Sequence, residues 1–322
     1  MKKLRAAVLF LLPWAVSAAD PSLMRLVMPD AKVLAGLQVN QAKNSLFGEY
    51  VLAHMQGNDA GFQKFVAQTG FDPRTDVSEI VMASDSAPNS TDRSWLIVAH
   101  GSFNTAKITT AAQADGATLT NYKGLSILVH SEPSHPSIQN AVTFLDSSTA
   151  AVGDVASVEA AIDRQSGAAP SGPIFDQAQQ VSSKYDFWFV SQIPLSQFAN
   201  TIPNANGNTA INQNILAGIS QASGGISFGE TVTITTQAVE RSNQDAQSLA
   251  SVVQFFASLM QMNSQKNPQA AQMAALLSNL QTSAAGNVTT ISLAVPEQQL
   301  EQMLDSARQN HQAARRPAPR LN

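Results

Sequence analysis

The chain has 322 residues, 44% hydrophobic, 6% aromatic and 13% charged, with 19 Lys and Arg against 23 Asp and Glu. Charged residues are about half as common as the ~25% of ordinary soluble domains, and Ala, Ser, Gln and Asn take their place. The composition excludes collagen and a polytopic membrane protein, and the absence of Cys excludes a disulfide scaffold and thiol catalysis. Aliphatic residues suffice for a core, so the chain is not disordered throughout, and its length allows one large or two medium domains.

Met1 to Ala19 reads as a secretory signal: Lys2, Lys3 and Arg5, the apolar run Ala6–Val16, then the small residues Ser17-Ala18-Ala19. The run is shorter than the ~20 residues of a membrane-spanning helix, and Pro13 interrupts it, so cleavage near Ala18 or Ala19 is expected. The mature chain then carries no transmembrane helix and is periplasmic or secreted. Losing the three leader cations takes the formal net charge from −4 to −7, and setting aside Arg315, Arg316 and Arg320 of the tail takes the body to −10. An acidic body gains nothing from phosphate attraction, so no nucleic-acid partner is expected.

In chain order, apolar periodicity alternates short strands with amphipathic helices. Val33–Val39 is a strand, and Ser45–Gln68 a helix or helix pair broken at Gly57-Asn58. Ile80–Ala83 and Trp95–Ala99 pair across the polar loop Ser84–Arg93. Asn104 caps a helix to about Ala114. Tyr122-Lys123-Gly124-Leu125 turns into the strand Ser126–His130, and Ala141–Leu145 with Ala150–Gly153 makes a second hairpin. Asp154 caps the helix Val155–Arg164.

Residues 166–173, rich in Gly, Pro, Ser and Ala, form a connector. After it come a helix (Ile174–Ser183), a strand (Asp186–Ile193), a helix opened by Pro194, the polar loop Pro203–Asn208 and a hairpin (Gly225–Phe228 with Val232–Ala238). A long helix over Asp245–Met262 follows, its Leu249, Val252, Val253, Phe256 and Leu259 on one stripe. A helix near Gln269–Gln281, the strand Val288–Val295 and the helix Pro296–Ala307 complete the fold.

The strand that runs into a cap or Pro and then a helix recurs in both halves, most visibly at Ile193-Pro194 and Val295-Pro296. The expected fold is α+β in two related halves, 20–165 and 174–308, each an antiparallel sheet packed by amphipathic helices. The basic tail 309–322 is expected to be disordered.

The segment Gly70-Phe71-Asp72-Pro73-Arg74-Thr75-Asp76-Val77, running into an apolar strand, resembles uncharacterised exported bacterial proteins with a duplicated α+β domain of unknown function. The resemblance spans mainly 30–165, extends to the hairpin Thr143–Gly153 and the helix after it, and implies export and fold class. On physical grounds the same segment is a helix stop at Gly70 and a turn fixed by Asp72 and Pro73. Asp72, Asp76 and Glu79 do not have the spacing of a Ca²⁺ loop.

Reactive chemistry is sparse. His130, Glu132 and His135 form a His-x-Glu-x-x-His arrangement that offers three donors to Zn²⁺ or Cu²⁺, with His100 as a possible fourth. Pro133 keeps that segment out of a helix, so it lacks the helical geometry of a zincin. Gly218-Ile219-Ser220-Gln221-Ala222 falls short of a nucleophile elbow and sits in helix-like sequence. No phosphate loop or dinucleotide fingerprint occurs, so no cofactor is expected. Phe187, Trp188 and Phe189 in one strand indicate an interior strand with aromatics on both faces.

The sequence therefore reads as a non-catalytic exported envelope protein that binds or scaffolds, its partner an envelope protein or small ligand. The alternatives are a metal-dependent or serine hydrolase with a diffuse site and a small-molecule carrier with a cavity between the halves.

Overall fold

The computed structural model describes residues 18–55, 60–88, 90, 93–132, 135–198, 213–263 and 268–314. The first half begins with α1 (Pro21–Leu26), β1 (Val33–Leu37), α2 (Val39–Lys43), α3 (Leu46–Met55), α4 (Ala60–Thr69) and α5 (Pro73–Asp76). It continues through β2 (Val77–Ser84), β3 (Trp95–Gly101), α6 (Thr105–Ala114), β4 (Thr118–Tyr122), β5 (Leu125–Glu132), β6 (His135–Phe144), β7 (Thr149–Asp154) and α7 (Val155–Arg164). The second half holds α8 (Pro173–Ser182), β8 (Phe187–Ser191), a 3-10 turn (Leu195–Phe198), α9 (Gln213–Gly218), β9 (Ile219–Ser227) and β10 (Thr231–Glu240). It ends with α10 (Asn243–Asn263), α11 (Pro268–Leu277), β11 (Leu280–Ala285), β12 (Val288–Pro296) and α12 (Glu297–Ala314).

The α+β class with antiparallel sheet is as expected, but the halves share their sheet. All twelve described strands join one sheet in the order β11-β12-β10-β9-β8-β1-β2-β3-β7-β6-β5-β4, and every pairing is antiparallel. The seam is β1 against β8, with Leu34 opposite Val190 and Gly36 opposite Trp188.

Alternation assigns side chains to faces. Leu34, Val81, Ala83, Leu96, Val98, Trp188 and Val190 point to one face, where α1, α7 and α8 bury them. Leu23, Val27, Val158, Ile162 and Phe175 are the helical side of this core. Leu37, Ile80, Phe187 and Phe189 point the other way. On that face α2 packs against β2, while α10 lies over β10 to β12 with Leu249 against Ile219 and Ala238. The aromatic run accordingly splits, with Trp188 fully buried and Phe187 and Phe189 half-buried.

Local chemistry explains the element ends. Asp20, Asp72, Asn104 and Asp154 each accept a backbone N–H as helix N-caps. Gly70 stops α4 at φ 67° and donates to the Val66 carbonyl at 2.8 Å. Tyr122 pairs with Leu125 across a two-residue turn in which Lys123 (φ 49°) and Gly124 (φ 87°) are both left-handed, as a type I′ hairpin requires.

Several segments differ from expectation. Pro194 opens only the 3-10 turn Leu195–Phe198, and the loop Pro203–Asn208 lies outside the described residues. Ile219–Ala222 belongs to strand β9, because pairing with β10 and β8 outweighs the helix propensity of Gln and Ala. The helix expected to Gln281 stops at Leu277, and Leu280–Ala285 pairs with β12 across the two-residue turn Gly286-Asn287. The last helix runs to Ala314, into the segment assigned to the tail.

Candidate functional site

Where β1 ends, Leu37 and Ile80 form an apolar floor, and the chain folds back over it as α2 and α3. The two helices touch closely at Gly48, where a Cβ would lie 1.8 Å from the Ala42 carbonyl oxygen. A cavity of about 510 Å³ remains between floor and helices. Val39 and Ala42 line it from α2, Phe47 and Leu52 from α3, Phe62 from α4, Pro73 and Arg74 from α5, and Phe228 from the turn after β9. Phe228 belongs to the second half and stacks on Phe47 with ring centroids 6.1 Å apart. Beside it α12 packs on α3, and the Tyr50 hydroxyl donates to the Glu301 carbonyl at 3.3 Å and to the Asp305 carboxylate. The cavity therefore sits where the halves meet.

Two cations reach its lining, and they differ. The Arg74 guanidinium is committed: it pairs with Asp72 at 2.6 Å, lies 4.7 Å over the Phe62 ring, and holds the Asp72 carboxyl below its ordinary pKa. Lys43 donates only to the Thr75 carbonyl, at 3.3 Å, and has no carboxylate partner among the described residues. The result is an apolar chamber with one unneutralised ammonium in its wall. Its size and lining fall within the ~300–1,000 Å³ range of small-molecule sites.

A second, polar hollow of about 400 Å³ lies beside the entry of the chain into α1, lined by Asp20, Gln38, Asn40, Ser78, Glu79, His100, Gly101 and Ser148. The Glu79 carboxylate accepts the Asp20 N–H at 2.9 Å. Burial pushes the Glu79 carboxyl pKa up, with the Asp20 N–H and the Gln38 amide pulling the other way. His100 Nε2 lies 2.9 Å from Ser22 Oγ and 3.5 Å from the Asp20 carboxylate, while Nδ1 faces the Ser148 carbonyl at 3.3 Å.

Serine, imidazole and carboxylate thus meet here, but not as a nucleophile relay. A relay needs the carboxylate on Nδ1 and the serine proton on Nε2. Asp20 instead stands on the serine's side of the ring and accepts the Ser22 hydroxyl at 2.7 Å, as part of capping α1. Ser220, in the segment read as a near-elbow, donates to the Val239 carbonyl at 2.9 Å across a strand pair.

The metal-ligand candidates divide. His130 is exposed on β5 opposite Asn140, which in turn faces Asp154 on β7. That row meets β3 near Trp95, while His100 lies five residues along β3. At ~3.3 Å per residue and ~4.8 Å per strand the two imidazoles belong to distant parts of the sheet, so His100 does not join His130. Glu132 and His135 are backbone partners at the β5–β6 end, and their side chains lie outside the described ones. No group of three or more His, Asp or Glu suited to a metal occurs among the described residues.

Neither hollow is announced by a motif. Phe47, Phe62 and Phe228 each read as ordinary core; β2–β3 pairing sets Glu79 opposite His100, and the packing of α1 brings in Asp20 from 59 and 80 positions away. The local clue was Gln38, a buried polar residue ending an apolar strand.

No protein-family model and no curated protein matches this chain. A solved structure described as crystal form I of TP0453 is similar to it at 13% identity and a TM-score of 0.45, over 91% of this chain and 99% of that one. No described helix is long and apolar enough to cross a membrane.

Proposed function

We propose that this is a non-catalytic exported protein, periplasmic or secreted, that binds an anionic amphiphile, its hydrocarbon chain in the Phe47–Phe228 cavity and its head group at Lys43. The observation that carries the reading is the pairing of a largely apolar chamber with a single ammonium that lacks a carboxylate partner. An apolar chain gains about 0.8 kcal/mol per CH₂ taken from water, and a head-group anion at Lys43 would displace no carboxylate of the described residues. Export is supported by the three-part leader pattern of Met1–Ala19 and by the resemblance of Gly70–Ile80 to exported proteins. The order strand, helix, hairpin, helix, present in 33–114 and again in 186–262, supports descent from a duplicated domain.

The test is calorimetric titration of the purified chain with decanoate and with decanol. Both bind under this reading, and Lys43→Glu weakens decanoate by tenfold or more while leaving decanol within twofold. Failure of both ligands to bind, or equal weakening of both by Lys43→Glu, overturns the reading.

A further inference from the structure

The polar hollow beside α1 is built around the backbone nitrogen of one residue. Asp20 N donates to Glu79 Oε1 at 2.9 Å, and Glu79 is only 9% exposed on β2. A carboxylate buried to that extent ordinarily has a cation beside it. Here the partner is an amide N–H, and the hollow of about 400 Å³ leaves space around it. Asp20 is also the first residue after Ser17-Ala18-Ala19, where small residues stand at the first and third positions before the bond. Cleavage one residue earlier would place Val16 at the third position, which fits the small-residue rule less well.

We propose that the chain is processed between Ala19 and Asp20, and that the new α-ammonium of Asp20 forms an ion pair with Glu79 that locks α1 into the core. This rests on the export reading above. Water adds across the peptide bond: its hydroxyl goes to the Ala19 carbonyl carbon, which leaves with the leader as a carboxylate, and the C–N bond breaks. The released Asp20 amine takes up protons to become an ammonium. It keeps the place of the present N–H, so a neutral hydrogen bond to Glu79 becomes a charge-assisted one, roughly twice as strong.

The surroundings suit a cation. The Asp20 carboxylate and Glu79 supply negative charge, Gln38, Asn40, Ser78 and Ser148 supply neutral polar atoms, and His100 is the single opposing group. The side chain of Asp20 stays engaged with Ser22 and His100, so pairing at its nitrogen leaves the α1 cap intact. Leu23, Leu26 and Val27 are already buried in the core, and the ion pair formed once the leader is gone fastens the helix that carries them.

The test starts from full-length chain expressed in a Gram-negative host, with the periplasmic product identified by intact mass and N-terminal sequencing. The α-amine is then titrated by NMR in the mature chain and in Glu79→Gln. A product beginning at Asp20, with an α-amine pKa raised about one unit above the ordinary ~7.7–8.0 and restored by Glu79→Gln, is the expected result. A second form beginning at Ala19 melts lower than the Asp20 form, and Glu79→Gln costs it less. Leader retention in the cytoplasm overturns export itself. An exported product that begins elsewhere, or whose α-amine titrates in the ordinary range, overturns this inference and leaves export standing.

Discussion

Trp188 fills the space that a side chain at Gly36 would need. The two residues are register partners across the seam of β1 and β8, and a Cβ on Gly36 would lie 2.4 Å from the indole ring. The ring is 1% exposed and has nowhere to move. Gly36→Ala is therefore expected to lower stability by about 1–3 kcal/mol, the usual cost of overpacking, measured as a shifted urea midpoint. Gly36→Ala combined with Trp188→Phe should recover part of the loss, and no recovery would show that the clash is not the cause.

Glu240 is 3% exposed at the end of β10, and burial pushes its carboxyl pKa above the ordinary 4.5 despite the opposing pull of Thr289. Glu79 and Glu297 are raised in the same direction, also by burial first. A raised carboxyl binds more protons folded than unfolded, so stability falls as pH rises from about 4.5 through the folded pKa. Glu240→Gln should flatten that slope and raise the melting temperature at pH 7. An unchanged melting profile between pH 4.5 and 7.5 would contradict it.

The lowered carboxyls act on the other side. Arg74 holds Asp72 down; at Asp20 and Asp146 burial pushes upward, but Ser22 with His100 and Ser148 with Thr149 together outweigh it. Their contribution is present above the ordinary 3.8 and is lost as pH falls through the depressed folded values. Melting temperature against pH should therefore drop below about pH 4, and Asp72→Asn should lessen that acid loss.

Asp154 serves two elements at once. One carboxyl oxygen caps α7 by accepting the Ser157 N–H at 2.9 Å, and the other accepts the Trp95 N–H of β3 at 2.9 Å. Asp154→Ala should cost more than the ~1 kcal/mol of a lost cap, because it also leaves a strand N–H unpaired. Asp154→Asn should fall between, and equal loss in both variants on chemical denaturation would argue against a double role.

Arg164 donates from Nε and NH2 to the Leu26 carbonyl, at 2.9 and 2.8 Å, and so ties the end of α1 to α7. Lys cannot reproduce that fork. Arg164→Lys is expected to speed hydrogen exchange in residues 21–27 ahead of the sheet. Uniform change across the chain would point to global destabilisation instead.

The strands were readable where alternation met a turn or cap: Asp154, Asn104, Gly70 and the Lys123-Gly124 hairpin all behave as their chemistry dictates. Leu280–Ala285 was not, because Leu, Gln and Ala favour a helix and the edge strand owes its state to β12. Gly286-Asn287 is the one local turn signal beside it. The sharing of one sheet by both halves was illegible for a deeper reason, since nothing in Leu34 or Val190 states which strand each will pair with. The hollows depend on that pairing, and so they too emerge only in three dimensions.

The seam also limits how this molecule can deform. β1 and β8 are laced by main-chain bonds from Val33–Ser191 to Leu37–Phe187, so swinging the halves apart would unzip a whole ladder. Under the proposed reading, a ligand would have to reach the space beneath Phe47 past the short helices α2 to α4 rather than through a parting of this ladder.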